Sequence, residues 1–239
     1  MKTIGLGADV SDLAVGFGSV WVAGGNAGTL TRINPHVNLV EKTFTFGKVN
    51  SVVVQPIFLV ATGAGAVWIS RGDRVLKIDP ATNQVLQSTQ VRGVPFGLDA
   101  GGGGVWVTTY DERLVRIDPS TVVPTATHQL PNWGHFPLIS RGRLWLLLYA
   151  GEQPPGQVWQ LDPNTLEQTT ARLLPSGHPW QLDAGEGALW TTDWKNGSIW
   201  RIDPVSVRLT PVATIGRNFP TSITAGYGLV WVGVAVPIR

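Results

Sequence analysis

The chain has 239 residues, of which 43% are hydrophobic and only 14% charged, with a formal net charge of +2. That composition allows a sizeable buried core and excludes a disordered chain, a coiled coil and a highly charged binder of polyanions. With no cysteine there is no disulfide, thiolate nucleophile or Cys-ligated zinc, and 29 Gly with 17 Pro predict many turns between short strands.

Met1 to Gly5 lacks the apolar run of a signal peptide. The most apolar stretch, residues 144–150, is far too short to span a bilayer. From Gly16 onward a Gly-x-Gly-x-(Val/Leu)-Trp pattern recurs, with one degenerate copy, ending at Trp21, Trp68, Trp106, Trp145, Trp190 and Trp231. The spacings are 47, 38, 39, 45 and 41 residues. An (Arg/Lys/Gln)-(Ile/Leu)-(Asp/Asn)-Pro pattern follows the first five, at Arg32, Lys77, Arg116, Gln160 and Arg201. A proline precedes the Trp by 11 or 12 residues at Pro56, Pro95, Pro179 and Pro220, and by eight at Pro137.

One unit shows what such a repeat folds into. Pro95 to Ala100 reads as a short apolar strand and Gly101 to Gly104 as a tight turn needing φ > 0. Val105 to Thr109, β-branched and aromatic, is a second strand, Tyr110 to Arg113 a polar loop, and Leu114 to Ile117 a third strand. Asp118-Pro119-Ser120-Thr121 is a type I turn, and Val122 to Leu130 a fourth strand. No segment has a helical period. Four strands per unit, in six units of about 42 residues, is the arithmetic of an all-β, six-bladed β-propeller. The alternative, an open β-solenoid, has shorter repeats with fewer large aromatics. The second-strand Trp is expected to fill the space between blades, and residues 1–239 read as one propeller domain, with its full-length context open.

The ends suggest how the ring closes. Thr3-Ile4-Gly5 aligns with Thr214-Ile215-Gly216, and only eight residues follow Trp231. The last blade is therefore expected to be incomplete and closed with the N-terminal strand, leaving an edge open to self-association.

The consensus Pro-x-x-Ile-Ala-x-Gly-x-Gly-x-Val-Trp-Val followed by Val-x-Arg-Ile-Asp-Pro-x-Thr resembles the YVTN-type, YncE-like bacterial β-propeller repeats. It is also similar to virginiamycin B lyase-like propellers. The resemblance spans nearly the whole chain. It implies a bacterial protein of the cell envelope or exterior, or the sensor portion of a larger regulator. Lyase-like members use His, Glu and a divalent metal at the propeller mouth. The nearest stretch here, Trp190 to Gly197, has Asp193 where those proteins tend to have Glu, and no matching His follows.

The residues offer several candidate chemistries. Gly101 to Gly104 is read as a hairpin, since neither Gly-Lys-Ser/Thr nor a helix follows. Asp79, Asp118, Asp162 and Asp203, with Asn34, are read as turn caps, one per blade. Asp99 and Asp183 stand at equivalent first-strand positions, where other blades carry Ala14, Val60 or Thr224, and are read as blade-to-blade acceptors or channel carboxylates. His135 and His178 precede first strands and are read as loop residues or pocket walls. Asn196-Gly197-Ser198 is read as a hairpin rather than a glycosylation acceptor.

Two groups of loops share one propeller face and are rich in aromatics. Entry loops carry Phe96, Trp133, His135, Phe136, His178, Trp180 and Phe219; the next loops carry Arg71, Arg74, Tyr110, Asp111, Glu112, Tyr149, Asp193 and Trp194. Blade cores do not need these rings, so they point to recognition. The ligand-binding set is Phe96, Tyr110, Trp133, His135, Phe136, His178, Trp180, Asp193, Trp194 and Phe219. The reading is a non-catalytic binding, sensor or scaffold propeller without a cofactor, for a small molecule, carbohydrate or protein rather than nucleic acid or a membrane interior. The alternative is a lyase or lactonase-like enzyme holding Mg²⁺ or Ca²⁺ at the channel mouth.

Overall fold

The computed structural model describes residues 4–6, 10–25, 27–47, 58–149, 155–174, 178–215, 219–226 and 228–235; within these, the side chains of His135, Phe219, Thr221 and Ala235 are not described. The described residues form strands and turns with no helix. The chain divides into two compact units, Met1–Gln129 and Leu130–Arg239.

Unit 1 holds three antiparallel four-stranded blades. Blade 1 is β1 (Val10–Gly16), β2 (Ser19–Gly24), β3 (Thr29–Asn34) and β4 (Leu39–Thr45). Blade 2 is β5 (Val60–Gly63), β6 (Ala66–Arg71), β7 (Arg74–Ile78) and β8 (Val85–Gln90). Blade 3 is β9 (Pro95–Gly101), β10 (Gly104–Thr109), β11 (Arg113–Asp118) and β12 (Val123–Gln129). Unit 2 holds blade 4, made of β13 (Trp133–Ser140), β14 (Arg143–Tyr149), β15 (Gln157–Leu161) and β16 (Gln168–Leu173). Blade 5 is β17 (Pro179–Gly185), β18 (Ala188–Asp193), β19 (Ser198–Ile202) and β20 (Leu209–Thr214). β21 (Phe219–Gly226) and β22 (Leu229–Ala235) form a separate two-stranded sheet.

The six-bladed expectation is therefore corrected: among the described residues five blades are complete, and the sixth repeat forms one hairpin. Ile4 to Leu6 lie in no strand, Thr3 falls outside the described residues, and β22 pairs only with β21 among the described residues. Gly5 and Gly7 bracket Leu6 and leave a strand there little side chain to pack. Trp231 differs from its five counterparts: it stands 58% exposed, whereas Trp21, Trp68, Trp106, Trp145 and Trp190 are buried.

The repeat motif has a mechanical explanation. The x-Gly pair between first and second strands has φ > 0 at both residues, as in Phe17-Gly18 and Glu186-Gly187, which is the two-residue hairpin geometry matched to strand twist. The glycine two positions earlier lies against the following blade: a Cβ on Gly185 would meet the Ala225 carbonyl oxygen at 2.3 Å. In each complete blade the Trp indole Nε1 donates to the carbonyl of this earlier residue, namely Gly16, Gly63, Gly101, Ser140 and Gly185, at 2.9–3.3 Å. Second strands are covered on both faces and are nearly continuous in buried residues, whereas fourth strands are largely exposed. Trp68 of blade 2 shares a core cluster with Val105, Val107 and Ile117 of blade 3.

The Asp-Pro turns cap themselves, as read from the sequence. Asp79, Asp118, Asp162 and Asp203 each accept from the backbone amides two and three residues on, at 2.7–3.3 Å. These bonds hold their carboxyls below the usual range; for Asp118, where the Ser120 hydroxyl contributes most, the value falls to about 2. Each turn closes through a left-handed residue. In blades 3 and 5 these are the β-branched Val122 and Val207, held at φ 56° and 54° with their side chains buried.

First strands of adjacent blades are joined by side chains. Asp183 Oδ2 accepts from the Thr224 hydroxyl at 2.8 Å and the Ala225 amide at 2.9 Å, the blade-to-blade bond anticipated for it. Asp99 faces Trp106, as Asp183 faces Trp190; opposite Trp68 the register places Ala61, one residue beyond the expected Val60. Sequence reading missed a second such acceptor. Asp12 Oδ2 takes the Val60 amide at 2.9 Å, and burial, with Asp99 a smaller contributor, pushes its carboxyl up to about 6.

A pH effect follows from Asp12. The folded state holds its proton more tightly than the unfolded chain, so the favourable contribution is complete below about pH 4 and is lost as pH rises to 6. Unit 1 should lose up to about 3 kcal/mol across that window, and Asp12→Asn should flatten the profile. Urea melts from pH 3.5 to 7 measure both. An unchanged slope in the variant refutes the assignment.

Candidate functional site

The aromatic face is built by a device that single-strand patterns do not reveal. In every sheet whose first strand is described from its start, that strand carries an extra residue near the start. The register shifts fall at Ser11, at Phe96, at Phe136-Pro137, at Trp180-Gln181 and at Thr221. Such a β-bulge interrupts pairing and re-aims one side chain. Phe96, Phe136 and Trp180 are aromatic residues at these bulges, and Phe136 has φ 37°, a strained backbone for a phenylalanine. The bulge also lets the strand begin earlier than expected. Trp133, His135, Phe136, Trp180 and Phe219 therefore lie in first strands rather than in the loops assigned to them, and Phe96 lies in the strand expected from Pro95 onward.

In unit 2 the structure brings six expected rings into two groups. Trp133 stacks on Tyr149 with centroids 6.1 Å apart and planes at 24°. Tyr149 meets His178 edge-on at 5.4 Å, and His178 meets Trp194 at 5.5 Å and 87°. These rings form one row across blades 4 and 5. Phe136 and Trp180 form the second group, edge to face at 6.5 Å. Trp133 presents its ring to solvent at 46% exposure, while His178 is buried within the row.

Asp193 holds the row in place. It ends β18 and is fully buried, so it is not the loop residue expected. Its Oδ2 accepts the His178 amide at 3.1 Å, and its Oδ1 accepts the amides of Lys195 and Asn196 at 2.9 and 3.0 Å. The Trp194 amide in turn donates to the His178 carbonyl at 3.2 Å. One carboxylate thus fixes the segment before β17 and the turn after β18, and with them the rings of His178 and Trp194. The Asn196-Gly197-Ser198 stretch closes this β18–β19 turn, the Ser198 amide donating to Asn196 Oδ1 at 2.8 Å, the hairpin reading of this motif.

Unit 1 repeats the scheme in reduced form. Phe96 packs on Tyr110 at 4.5 Å, and the Tyr110 amide donates to the Val94 carbonyl at 3.0 Å, matching Trp194 and His178. Burial pushes the Tyr110 hydroxyl above its usual range. Asp111 accepts from the Thr109 hydroxyl at 2.5 Å and pairs with Arg113. Beside it lies an open groove of about 440 Å³ lined by Asp73, Gln90, Val91, Arg92 and Gly93, which sequence reading did not single out. The side chains of His135 and Phe219 lie outside the described set. Among the described residues no group of three or more His, Asp or Glu is placed to hold a metal ion.

No family model and no curated protein matches the sequence. Solved structures do match in three dimensions. Virginiamycin B lyase from Staphylococcus aureus superposes with a TM-score of 0.73 at 20% identity, over 92% of this chain and 76% of that one. Hydrazine synthase from Kuenenia stuttgartiensis gives 0.75 at 12% identity over 90% and 70%. BamB from Moraxella catarrhalis gives 0.61 at 13% identity over 95% and 72%. The fold is an all-β propeller. At these identities the likeness reaches the fold alone, and proteins of such different roles on one fold leave function to be argued from side chains.

Proposed function

We propose that this chain is a non-catalytic recognition propeller whose ligand lies on the aromatic face of unit 2. The observation that carries the reading is the row Trp133–Tyr149–His178–Trp194, aligned by a buried carboxylate and ending in an exposed Trp. A row of rings supplies flat apolar area at low conformational cost, which suits a carbohydrate, a planar small molecule or an aromatic-bearing protein segment. The metal-dependent lyase or lactonase alternative is weaker, because Asp193, the carboxylate in the corresponding stretch, already spends both oxygens on backbone amides.

Calorimetric titration of oligosaccharide and peptide panels tests this reading. For a ligand found, Trp133→Ala should weaken binding at least about tenfold while costing less than about 1.5 kcal/mol of stability, since the ring is half exposed. Binding that survives both Trp133→Ala and Trp194→Ala, or that maps to the Asp-Pro turns, refutes the face. Added Mg²⁺ or Ca²⁺ should leave the Tm unchanged; a rise of several degrees revives the metal-dependent alternative.

A further inference from the structure

Blade 5 breaks a rule that blades 1 to 4 keep. The second-strand residue after the motif Trp is apolar and buried in those four blades: Val22, Ile69, Val107 and Leu146. In blade 5 it is Thr191, equally buried, and its hydroxyl has no hydrogen-bond partner. Trp200, paired with it from the third strand, has an indole Nε1 that is also buried and unpartnered. At the paired positions of the other blades, Leu76 and Val115 carry no side-chain polar atom, and the polar atoms present are satisfied. The Thr31 hydroxyl meets the Thr43 hydroxyl at 3.2 Å. Trp159, the blade 4 counterpart of Trp200, donates from Nε1 to Gln157 Oε1 at 2.7 Å. Blade 5 lacks that cap because Ser198 stands where blade 4 has Gln157. The hydroxyls of Thr108 and Thr192 are unpartnered too, but they share one repeat position, whereas Thr191 and Trp200 are peculiar to blade 5.

The unpartnered pair adjoins the aromatic row. Thr191 shares its strand face with Asp193, the carboxylate that fixes His178 and Trp194. Leu182, paired with Thr191 from the first strand, shares a core cluster with Leu147, Val158 and Leu174 of blade 4. Leu147 in turn shares its strand face with Tyr149. An apolar seam between blades 4 and 5 thus holds a hydroxyl and an indole N–H, one layer from Tyr149 and His178. Burying both without partners costs stability, so their presence needs a reason beyond folding. A position that departs from its repeat in this way is where function is expected.

Blade 4 shows which group satisfies such an indole: an amide oxygen. We infer that Thr191 and Trp200 form a subsite for the acetamido group of an N-acetylated sugar whose pyranose ring lies on the aromatic row. The acetamido carbonyl accepts from Trp200 Nε1, its N–H donates to Thr191 Oγ1, and its methyl meets Leu147 and Leu182. Other amide-like groups fit less well. A carboxylate is repelled by Asp193 on the same strand face. A primary amide brings a second N–H that finds no acceptor in the seam. A peptide backbone amide carries chain on both sides and has no terminal methyl. Both polar atoms are covered in the ligand-free chain, so the group enters as a covering side chain turns aside. It recovers hydrogen bonds whose absence makes the covered state costly. This inference rests on the recognition role of the row.

Tri-N-acetylchitotriose and cellotriose are the probes, because they present the same pyranose faces and differ in acetamido against hydroxyl. Calorimetric titration into the full chain should show the acetylated sugar binding about tenfold tighter or better. Trp200→Phe and Thr191→Val keep ring and shape while removing the polar atoms. Each should shrink the difference between the two sugars without lowering the Tm, since each removes an unpartnered buried group. Ser198→Gln supplies the blade 4 cap within the chain and should raise the Tm while abolishing the acetyl preference. The Trp200 indole N–H resonance, assigned by its loss in Trp200→Phe, should shift with the acetylated sugar and stay in place with cellotriose. Equal binding of both sugars, lost in Trp133→Ala, leaves the aromatic face standing and overturns this inference. So does Trp133-dependent binding of an acetyl-lysine peptide with neither sugar bound, or no binding of the acetylated sugar up to about 1 mM. An acetyl preference that needs Trp200 while Trp133→Ala and Trp194→Ala change nothing supports the subsite and refutes the row.

Discussion

Replacing Trp68 by Ala should destabilise unit 1 by about 3–5 kcal/mol, the range for deleting a fully buried large aromatic. The indole has no solvent exposure. It fills the seam between blades 2 and 3, against Val105, Val107 and Ile117 on one side and Ala61 and Val75 of its own blade on the other. Its Nε1 donates to the Gly63 carbonyl at 3.0 Å, and Lys77 lies over its face. Trp68→Phe separates these contributions. It keeps most of the apolar contact but leaves the Gly63 carbonyl without its donor, at about 1–2 kcal/mol. Trp231→Ala, at the same motif position but with its ring 58% exposed, should stay within about 1 kcal/mol of the parent. Urea melts of the three variants check the ranking. Equal losses at Trp68 and Trp231 would refute the seam as the source of the repeat's Trp.

What the sequence made legible here is what a single blade decides for itself. Strands near Trp106 and turns at Gly102-Gly103 and Asp118-Pro119 follow from local sterics and capping, which recur in every copy. What escaped were features set by strand pairing and by contacts between segments distant in sequence. The first-strand bulge has no residue signature, since Ser11, Phe96, Phe136, Trp180 and Thr221 share no side-chain chemistry, so its aromatics were placed in loops. The rings themselves were readable, but which of them touch depends on the spacing of blades 4 and 5. Asp193 looked like a ligand-facing carboxylate because nothing local shows that three amides converge on it. Asp12 was passed over because its partner, the Val60 amide, belongs to the next repeat. The N-terminal closure rested on three aligned residues, too short a match to outweigh two glycines in a four-residue stretch.

The seam between blades also predicts a pair of glycine substitutions with opposite outcomes. Gly185 and Gly226 are the same residue of the repeat motif in consecutive copies, each at the end of a first strand. A Cβ on Gly185 would sit 2.3 Å from the Ala225 carbonyl oxygen and 2.8 Å from that residue's carbonyl carbon and Cβ, distances that require backbone of the next strand to move. β21 cannot withdraw freely, because Gln181 and Asp183 hold the Ile223 and Ala225 amides at 2.9 Å. Gly185→Ala should therefore cost about 3 kcal/mol, the upper part of the range for overpacking a tight interior contact. A Cβ on Gly226 meets nothing within 4 Å. Gly226→Ala should be neutral, or stabilising by about 0.5 kcal/mol through the smaller entropy of its unfolded chain. Neither glycine needs a left-handed backbone, so the contrast isolates the approach of the next blade. Thermal melts of the two variants side by side decide it. If Gly226→Ala loses as much as Gly185→Ala, the glycine serves the hairpin rather than the seam, and the explanation given for the motif fails.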